Sequence, residues 1–318
     1  DLINDGFEIN PYDPCVANKI VNGKQLTVAW HVDDLKGSHV QTAVTDKFLQ
    51  WVKDTYGSIG EVKTTRGKIH DYLRMKLDYT KPGEVAIDMI DYLKTMIASF
   101  PQSWWIGGRG TGKVASPWNE NLFKVNPNSP PLPKEKAEIF HSTVAQGLFA
   151  CKRGRPDISP AIAFLTTRVK APTQDDLGKL VRMMTWIRQT VGDRLVLKAD
   201  GSWTLKWHVD AAFAVHPDFR SHTGATMTMG QGAISSTSKK QGMNSRSSTE
   251  AELIAADEVS GNMIWTKLFL EAQGYPIKQN ILYQDNTSTI QLESNGRKSV
   301  GKRSRHLNIR LFFITDQK

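Results

Sequence analysis

The sequence predicts a mixed α/β chain of the α+β kind, with antiparallel strands placed before the helices that cover them. Three observations predict it. Asn22-Gly23 separates two β-rich runs, Cys15–Val21 and Lys24–Val32, and Asn-Gly in that place marks a hairpin because both turn positions need φ > 0. A weakly amphipathic stretch, Lys134–Val191, is broken near Arg155-Pro156 and Ala171-Pro172 and reads as several helices. The last third then runs strand, strand, strand, helix, strand, helix.

Taken in order, the second strand of the hairpin runs into Asp33-Asp34, and a helix follows from Val44 to Tyr56, stopping at Gly57 as a C-cap. Ile69–Tyr79 alternates in polarity and predicts one strand. Trp104–Pro133, rich in Gly, Pro, Asn and Ser, reads as an irregular linker. In the last third, Trp203–Ala214, Gly224–Met229 and Ala233–Ser238 are the strands, and Thr249–Ala272 is the long helix. A strand at Ile281–Gln284 and a short helix at Asn286–Ser294 complete the pattern, and no internal repeat is present. The changes in composition divide the chain into 1–100, 101–200 and 201–318.

With 318 residues, 39% hydrophobic and 23% charged, the chain can bury ordinary cores. The net charge of +9 favours a polyanionic partner, nucleic acid first and an acidic membrane second. Cys15 and Cys151 form no CxxC pair, which argues against a disulfide framework, a zinc knuckle or a thiol enzyme and suits a reducing compartment. No apolar run approaches the roughly 20 residues a membrane span needs. The opening Asp1-Leu2-Ile3-Asn4-Asp5 has no signal-peptide character and reads as a chain that starts within a domain. The many tryptophans, such as Trp186, Trp203, Trp207 and Trp265, are expected in the core rather than as base-stacking platforms.

Two carboxylate sets could carry chemistry. Asp33-Asp34, after a hydrophobic strand, offers hard oxygen ligands of the kind phosphoryl transfer needs for magnesium, although Asp-Asp at a turn is usually just polar turn chemistry. Asp210, Glu252 and Asp285 fall on a strand, at a helix start and after a second strand, and could converge on one edge of the sheet. Each has a structural alternative: Thr249-Glu250-Ala251-Glu252 fits a capping box, Asp285-Asn286 could open the next helix, and only Asp210, inside a strand, costs free energy unless paired. Gly107–Lys113 spells most of a P-loop, but Val114 stands where Ser or Thr would bind magnesium and no hydrophobic strand precedes it. Arg297, Lys298, Lys302, Arg303, Arg305 and Arg310, with His306 among them, form a basic run that would supply phosphate contacts beside a carboxylate site.

These residues resemble a family. Trp30-His31-Val32-Asp33-Asp34-Leu35 is similar to the Y-V-D-D motif of copia-type LTR retrotransposon reverse transcriptases, and His70-Asp71-Tyr72-Leu73-Arg74-Met75 to the strand that follows it, with Arg74 where Gly is usual. Cys151–Pro160 resembles the R-P-D-I segment of the family's connecting region, with Ala171-Pro172-Thr173 after it. Val209-Asp210-Ala211-Ala212-Phe213, Ser221-His222-Thr223-Gly224, Ser235–Gln241, Ser247–Leu253, Tyr283-Gln284-Asp285-Asn286 and Arg305–Arg310 resemble, in order, the blocks of its ribonuclease H.

The resemblance implies a partial palm and thumb with a connector, then a ribonuclease H-like mixed five-stranded sheet with helices. It implies that Asp210, Glu252 and Asp285 hold Mg2+ or Mn2+ to hydrolyse the RNA strand of RNA–DNA hybrids, and that Asp33 and Asp34 are two of three polymerase carboxylates. The remaining polyprotein would be a partner, no membrane would be involved, and the setting would be the cytoplasm or virus-like particles. Three departures are expected to matter: His31 replaces the usual Tyr, Asn308 stands where many relatives have Asp, and no fourth ribonuclease H carboxylate is identifiable. The expectation is a ribonuclease H attached to a polymerase part that cannot polymerise alone; the alternative is a catalytically silent nucleic-acid-binding relict.

Overall fold

Asn22-Gly23 makes the turn its chemistry calls for, with φ of 52° and 71°, and pairs Val21 with Lys24 across the hairpin. The structure, a computed structural model, describes residues 1–105 and 112–295. Around the hairpin, β1 (Glu8–Asn10), β2 (Asp13–Val21), β3 (Lys24–His31) and β4 (Asp34–Ser38) form an antiparallel sheet in that order. Helix α1 (Thr42–Tyr56) follows, and Phe7, Ala17, Leu26, Val28 and Val44 are buried as one cluster. It ends at Gly57, where φ is −61°, so the left-handed freedom of glycine is not used at this cap.

Ile69–Tyr79 is not one strand. It folds into a second hairpin, β5 (Ile69–Tyr72) and β6 (Met75–Asp78), because Leu73 and Arg74 take φ of 52° and 65° and reverse the chain. Strand β7 (Glu84–Asp88) extends the sheet and leads into α2 (Ile90–Ser99). The helical stretch divides where proline predicts, into α3 (Lys134–Cys151), α4 (Ser159–Thr166) and α5 (Gln174–Gln189). Thr173 and Asp176 close a reciprocal capping box at the start of α5, and Arg168 donates to the buried Asp176 at 2.9 Å. The irregular segment before α3 is held to this bundle, with Leu132 donating to Pro172 and Gln174 to Pro130. Leu93, Met96, Phe100, Phe140, Phe164, Leu180, Met183 and Ile187 fill the largest core.

Strand β8 (Leu195–Ala199) pairs antiparallel with β7. Beyond it lie β9 (Thr204–Ala212), β10 (His222–Thr228), β11 (Gly230–Gln231), β12 (Ser235–Lys240), α6 (Ser248–Ala272), β13 (Gln279–Tyr283) and α7 (Thr287–Asn295). The last third therefore has the predicted strand and helix order with the short β11 added before β12, and its sheet runs β12-β10-β9-β13, with β13 parallel to β9 and the other pairs antiparallel. Among the described residues it has four strands where five were expected. Strand alternation turns Leu205, Trp207 and Val209 toward α6, where they meet Ala255, Val259 and Met263. His208 and Asp210 lie on the opposite, exposed face. Strand β11 leaves this sheet and pairs with β8, completing a five-stranded sheet β11-β8-β7-β6-β5 that draws on both sides of residue 200.

The N-terminal sheet rests on the C-terminal half of α6. Asn10 donates to Phe269 O at 3.3 Å, Gln25 to Gln273 O at 3.2 Å, and Trp265 Nε1 to Tyr12 O at 2.9 Å. Trp265 is thus an interface residue, 44% exposed and stacked on Phe269, rather than a core one. Trp207 is buried; Trp186 and Trp203 are only half-buried. Both cysteines are free, and no helix among the described residues is long and apolar enough to cross a membrane.

Candidate metal centre

Asp210 is carried by β9, Asp285 lies two residues past the end of the neighbouring parallel strand β13, and Glu252 sits near the start of α6. These elements bring one carboxylate oxygen from each residue within 4.8 Å of the other two, with Glu252 buried and both aspartates exposed. The register explains the pairing: His208 faces Tyr283 across the parallel ladder, so residues two further along each strand point to the same side.

The helix-capping alternatives belong to other residues. Ser247 caps α6 by accepting from the Glu250 amide at 3.1 Å, and Glu250 accepts from the Arg246 amide at 2.6 Å, which leaves Glu252 turned to the sheet. At α7 the cap is Asn286, whose Oδ1 accepts from the Thr289 amide at 3.0 Å, so Asp285 is not needed there.

Glu252 is held from two sides. Gln284 Nε2 donates to its Oε2 at 3.0 Å, and the backbone amide of Ala211 faces the carboxylate from the sheet side. Burial pushes its carboxyl above the usual range; the Asp210 and Asp285 charges push the same way, while the Gln284 and Ala211 bonds oppose them. Like charges gathered on a partly desolvated carboxylate are unfavourable unless a cation joins them. An oxygen-only donor set of this size is the chemistry of a hard divalent ion such as Mg2+ or Mn2+, not of zinc.

The trio opens on a cleft of about 850 Å³. Its floor is the exposed sheet face, including His208, Asp210, Gly224, Thr226, Ser236, Ser238 and Tyr283. Its wall is built by Trp118 and the turn at Pro156–Pro160. Asp157 in that wall is pushed up by burial, but hydrogen bonds from Arg155 at 2.8 and 2.7 Å and from Trp186 Nε1 at 2.8 Å prevail and hold it below the usual range. The wall aspartate is thereby committed to its own fold.

Asp33 and Asp34 lie elsewhere. They are exposed at the turn between β3 and β4, where His31 pairs with Asp34, and no third carboxylate joins them among the described residues. Arg297, Lys298, Lys302, Arg303, Arg305, His306 and Arg310 lie outside the described residues, as does most of Gly107–Lys113. Sequence reasoning assigned no role to Gln284; the signal available was an amide side chain directly before a candidate ligand.

No protein-family profile matches the chain. Over 208 residues, 64% of its length, it is 31% identical to a retrovirus-related Pol polyprotein from transposon TNT 1-94 of Nicotiana tabacum, and it spans 15% of that protein. It is 32% identical over 210 residues to the corresponding polyprotein from transposon RE1 of Arabidopsis thaliana, of which it spans 14%. A transposon Ty5-1 protein of Saccharomyces cerevisiae is 26% identical over 245 residues, covering 73% of this chain and 72% of the yeast protein. These relatives bear out the resemblance to copia-type retrotransposon Pol polyproteins, and the chain spans a small part of the two plant proteins.

Proposed function

We propose that this chain is a fragment of a retrotransposon polyprotein whose ribonuclease H site hydrolyses the RNA strand of RNA–DNA hybrids. The observation that carries the proposal is the meeting of Asp210, Glu252 and Asp285, from three separate elements, within 4.8 Å. These three would hold Mg2+ or Mn2+. Divalent cations held this way supply an acidified attacking water and neutralise charge on the leaving oxygen.

The chain's own contribution is to keep the three carboxylates together and to leave room above them. Gly224 pairs with Asp210 on one side and Ser238 on the other, and without a side chain it leaves the floor beside Asp210 low enough for a phosphodiester to approach. Thr226, Ser236 and Ser238 offer hydroxyls along the same cleft, suited to phosphate oxygens and ribose 2′-hydroxyls. The basic residues Arg297, Lys298, Lys302, Arg303, Arg305 and His306 would add phosphate contacts, in keeping with the net charge of +9.

On this reading, residues 1–100 correspond to part of a reverse-transcriptase palm, 101–200 to a connector and 201–318 to the nuclease. The hydrolysis does not involve Asp33 and Asp34, and with no third carboxylate beside them among the described residues they are assigned no polymerisation of their own. The setting would be the cytoplasm or a virus-like particle, together with the rest of the polyprotein.

The test is incubation with a labelled RNA–DNA hybrid in magnesium and then manganese, with Asp285→Asn alongside. Cleavage of the RNA strand by the parent and not by the variant is expected. Cleavage retained in Asp285→Asn overturns the assignment. Hybrid binding without cleavage by either protein replaces it with a silent nucleic-acid-binding role.

A further inference from the structure

We infer that Gln284 is a positioning residue: its amide holds Glu252 in the orientation in which that carboxylate can share a cation with Asp210 and Asp285. The inference rests on the metal-site reading and names a residue on which that site depends.

Gln284 follows the last residue of β13 and precedes Asp285. Its side chain is fastened at both ends. The oxygen accepts from the Asn286 backbone amide at 2.9 Å, which settles which end of the amide is which and leaves the NH2 group to meet Glu252 Oε2 at 3.0 Å. The Ala211 amide faces the same carboxylate and favours its charged form. Ala211 follows Asp210 and Gln284 precedes Asp285, so each of the other two carboxylates has a chain neighbour beside Glu252, and Gln284 bonds to it.

The physical need is plain. A glutamate side chain has three free torsions, and two nearby like charges drive this one away from the place where all three can bind one ion. A hydrogen-bond donor opposes that drift. An amide suits the task better than a cation would: lysine or arginine at 284 would neutralise Glu252 and compete with the metal, whereas the neutral amide orients the carboxylate and leaves its charge for the ion.

The experiment uses the full chain and measures Mn2+ binding by electron paramagnetic resonance and calorimetry, with thermal melts in chelator as a check on folding. Gln284→Ala is expected to bind Mn2+ about tenfold more weakly or worse, with an unchanged melt in chelator and with hybrid cleavage partly restored by raising Mn2+. Gln284→Met, which keeps the length but not the donor, should behave the same way, and Gln284→Lys should bind more weakly still. A purely structural role would lower the melt without moving the cation dependence. Parental Mn2+ affinity in Gln284→Met or Gln284→Ala, with binding lost in Asp285→Asn, overturns this inference and leaves the site reading intact. No Mn2+ binding by the parent overturns both.

Discussion

Gly232 lies so close to Val196 that a Cβ on it would stand 2.2 Å from the Val196 carbonyl oxygen. Gly230 is in the same position against Lys198, with 2.4 Å to its carbonyl oxygen. These contacts let β11, in the link between β10 and β12, join the sheet of β5–β8 and so fasten the C-terminal sheet to the sheet that begins before residue 100. Gly232 also has φ of +78°, a conformation that L side chains rarely adopt.

Gly232→Ala is therefore expected to destabilise by about 2–4 kcal/mol, combining left-handed strain with overpacking against backbone. Urea unfolding reads this as a lower midpoint. Gly178 in α5 and Gly261 in α6 have nothing within 4 Å of an added Cβ and no left-handed φ, so alanine there should stabilise each helix by about 0.5–1 kcal/mol. If all three substitutions shift the midpoint alike, steric contact at Gly232 is not the cause.

The Leu73-Arg74 turn carries the opposite opportunity. Both residues have left-handed φ, 52° and 65°, in the two-residue link between Tyr72 and Met75, a geometry that prefers Asn-Gly. Arg74→Gly should stabilise by about 1 kcal/mol, because it removes a Cβ from a strained position on an exposed turn. The unfolding midpoint should rise with no change in slope. A fall in the midpoint would mean that the arginine side chain contributes more than its backbone strain costs.

How much of this was legible depended on whether a residue's type matched its backbone. Asn22-Gly23 announced its turn because those residues tolerate φ > 0, and the prolines near 156 and 172 announced the ends of helices. Leu73-Arg74 makes the same turn with residues that do not advertise it, so alternation across Ile69–Tyr79 looked like one strand. Strand β4, Asp-Leu-Lys-Gly-Ser, has no β-branched residue, and β8 and β11 are defined by partners far away in the chain. At the site, the three carboxylates were legible by type and order. Their freedom from capping duty was not, because Ser247 and Asn286 stand one turn or one residue from equally suitable candidates.

The His216–His222 pair sets a pH response. His216 Nε2 and His222 Nδ1 lie 3.0 Å apart, His222 Nε2 meets Ser238 Oγ at 2.8 Å, and the Phe123 ring packs on both. Burial first, then the Lys240 ammonium, brings His216 down to about 4 against the opposing pull of Asp218. Burial and the facing His216 bring His222 down to about 4. An unfolded histidine titrates near 6.5, so between those values the unfolded chain takes up protons that the folded chain refuses. Stability is fully present above about pH 6.5 and is lost as pH falls toward 4. Melts across that window should fall by several degrees, and a His216→Gln, His222→Gln double variant should flatten the slope. Parallel losses in parent and variant would place the response elsewhere.

Asp285→Asn should reverse its effect on stability with the presence of a cation. In chelator, the variant removes one of the two like charges that act on the buried Glu252. The raised Glu252 carboxyl means that the folded state holds this proton more firmly than the unfolded one, so its contribution is favourable when protonated and is lost as pH rises through its folded pKa. Above that pKa the parent bears the full loss. The variant, with less repulsion on Glu252, should melt higher in chelator and lose less as pH rises through that pKa. With Mn2+ added the order should invert, because the parent gains RT ln(1 + [L]/Kd), about 2.7 kcal/mol at a hundredfold excess over Kd, and the variant gains little. The crossing of the two melting curves is the measurement. A variant that is less stable than the parent in chelator, or that gains as much from Mn2+, would mean that the three carboxylates do not act as one cation-binding group.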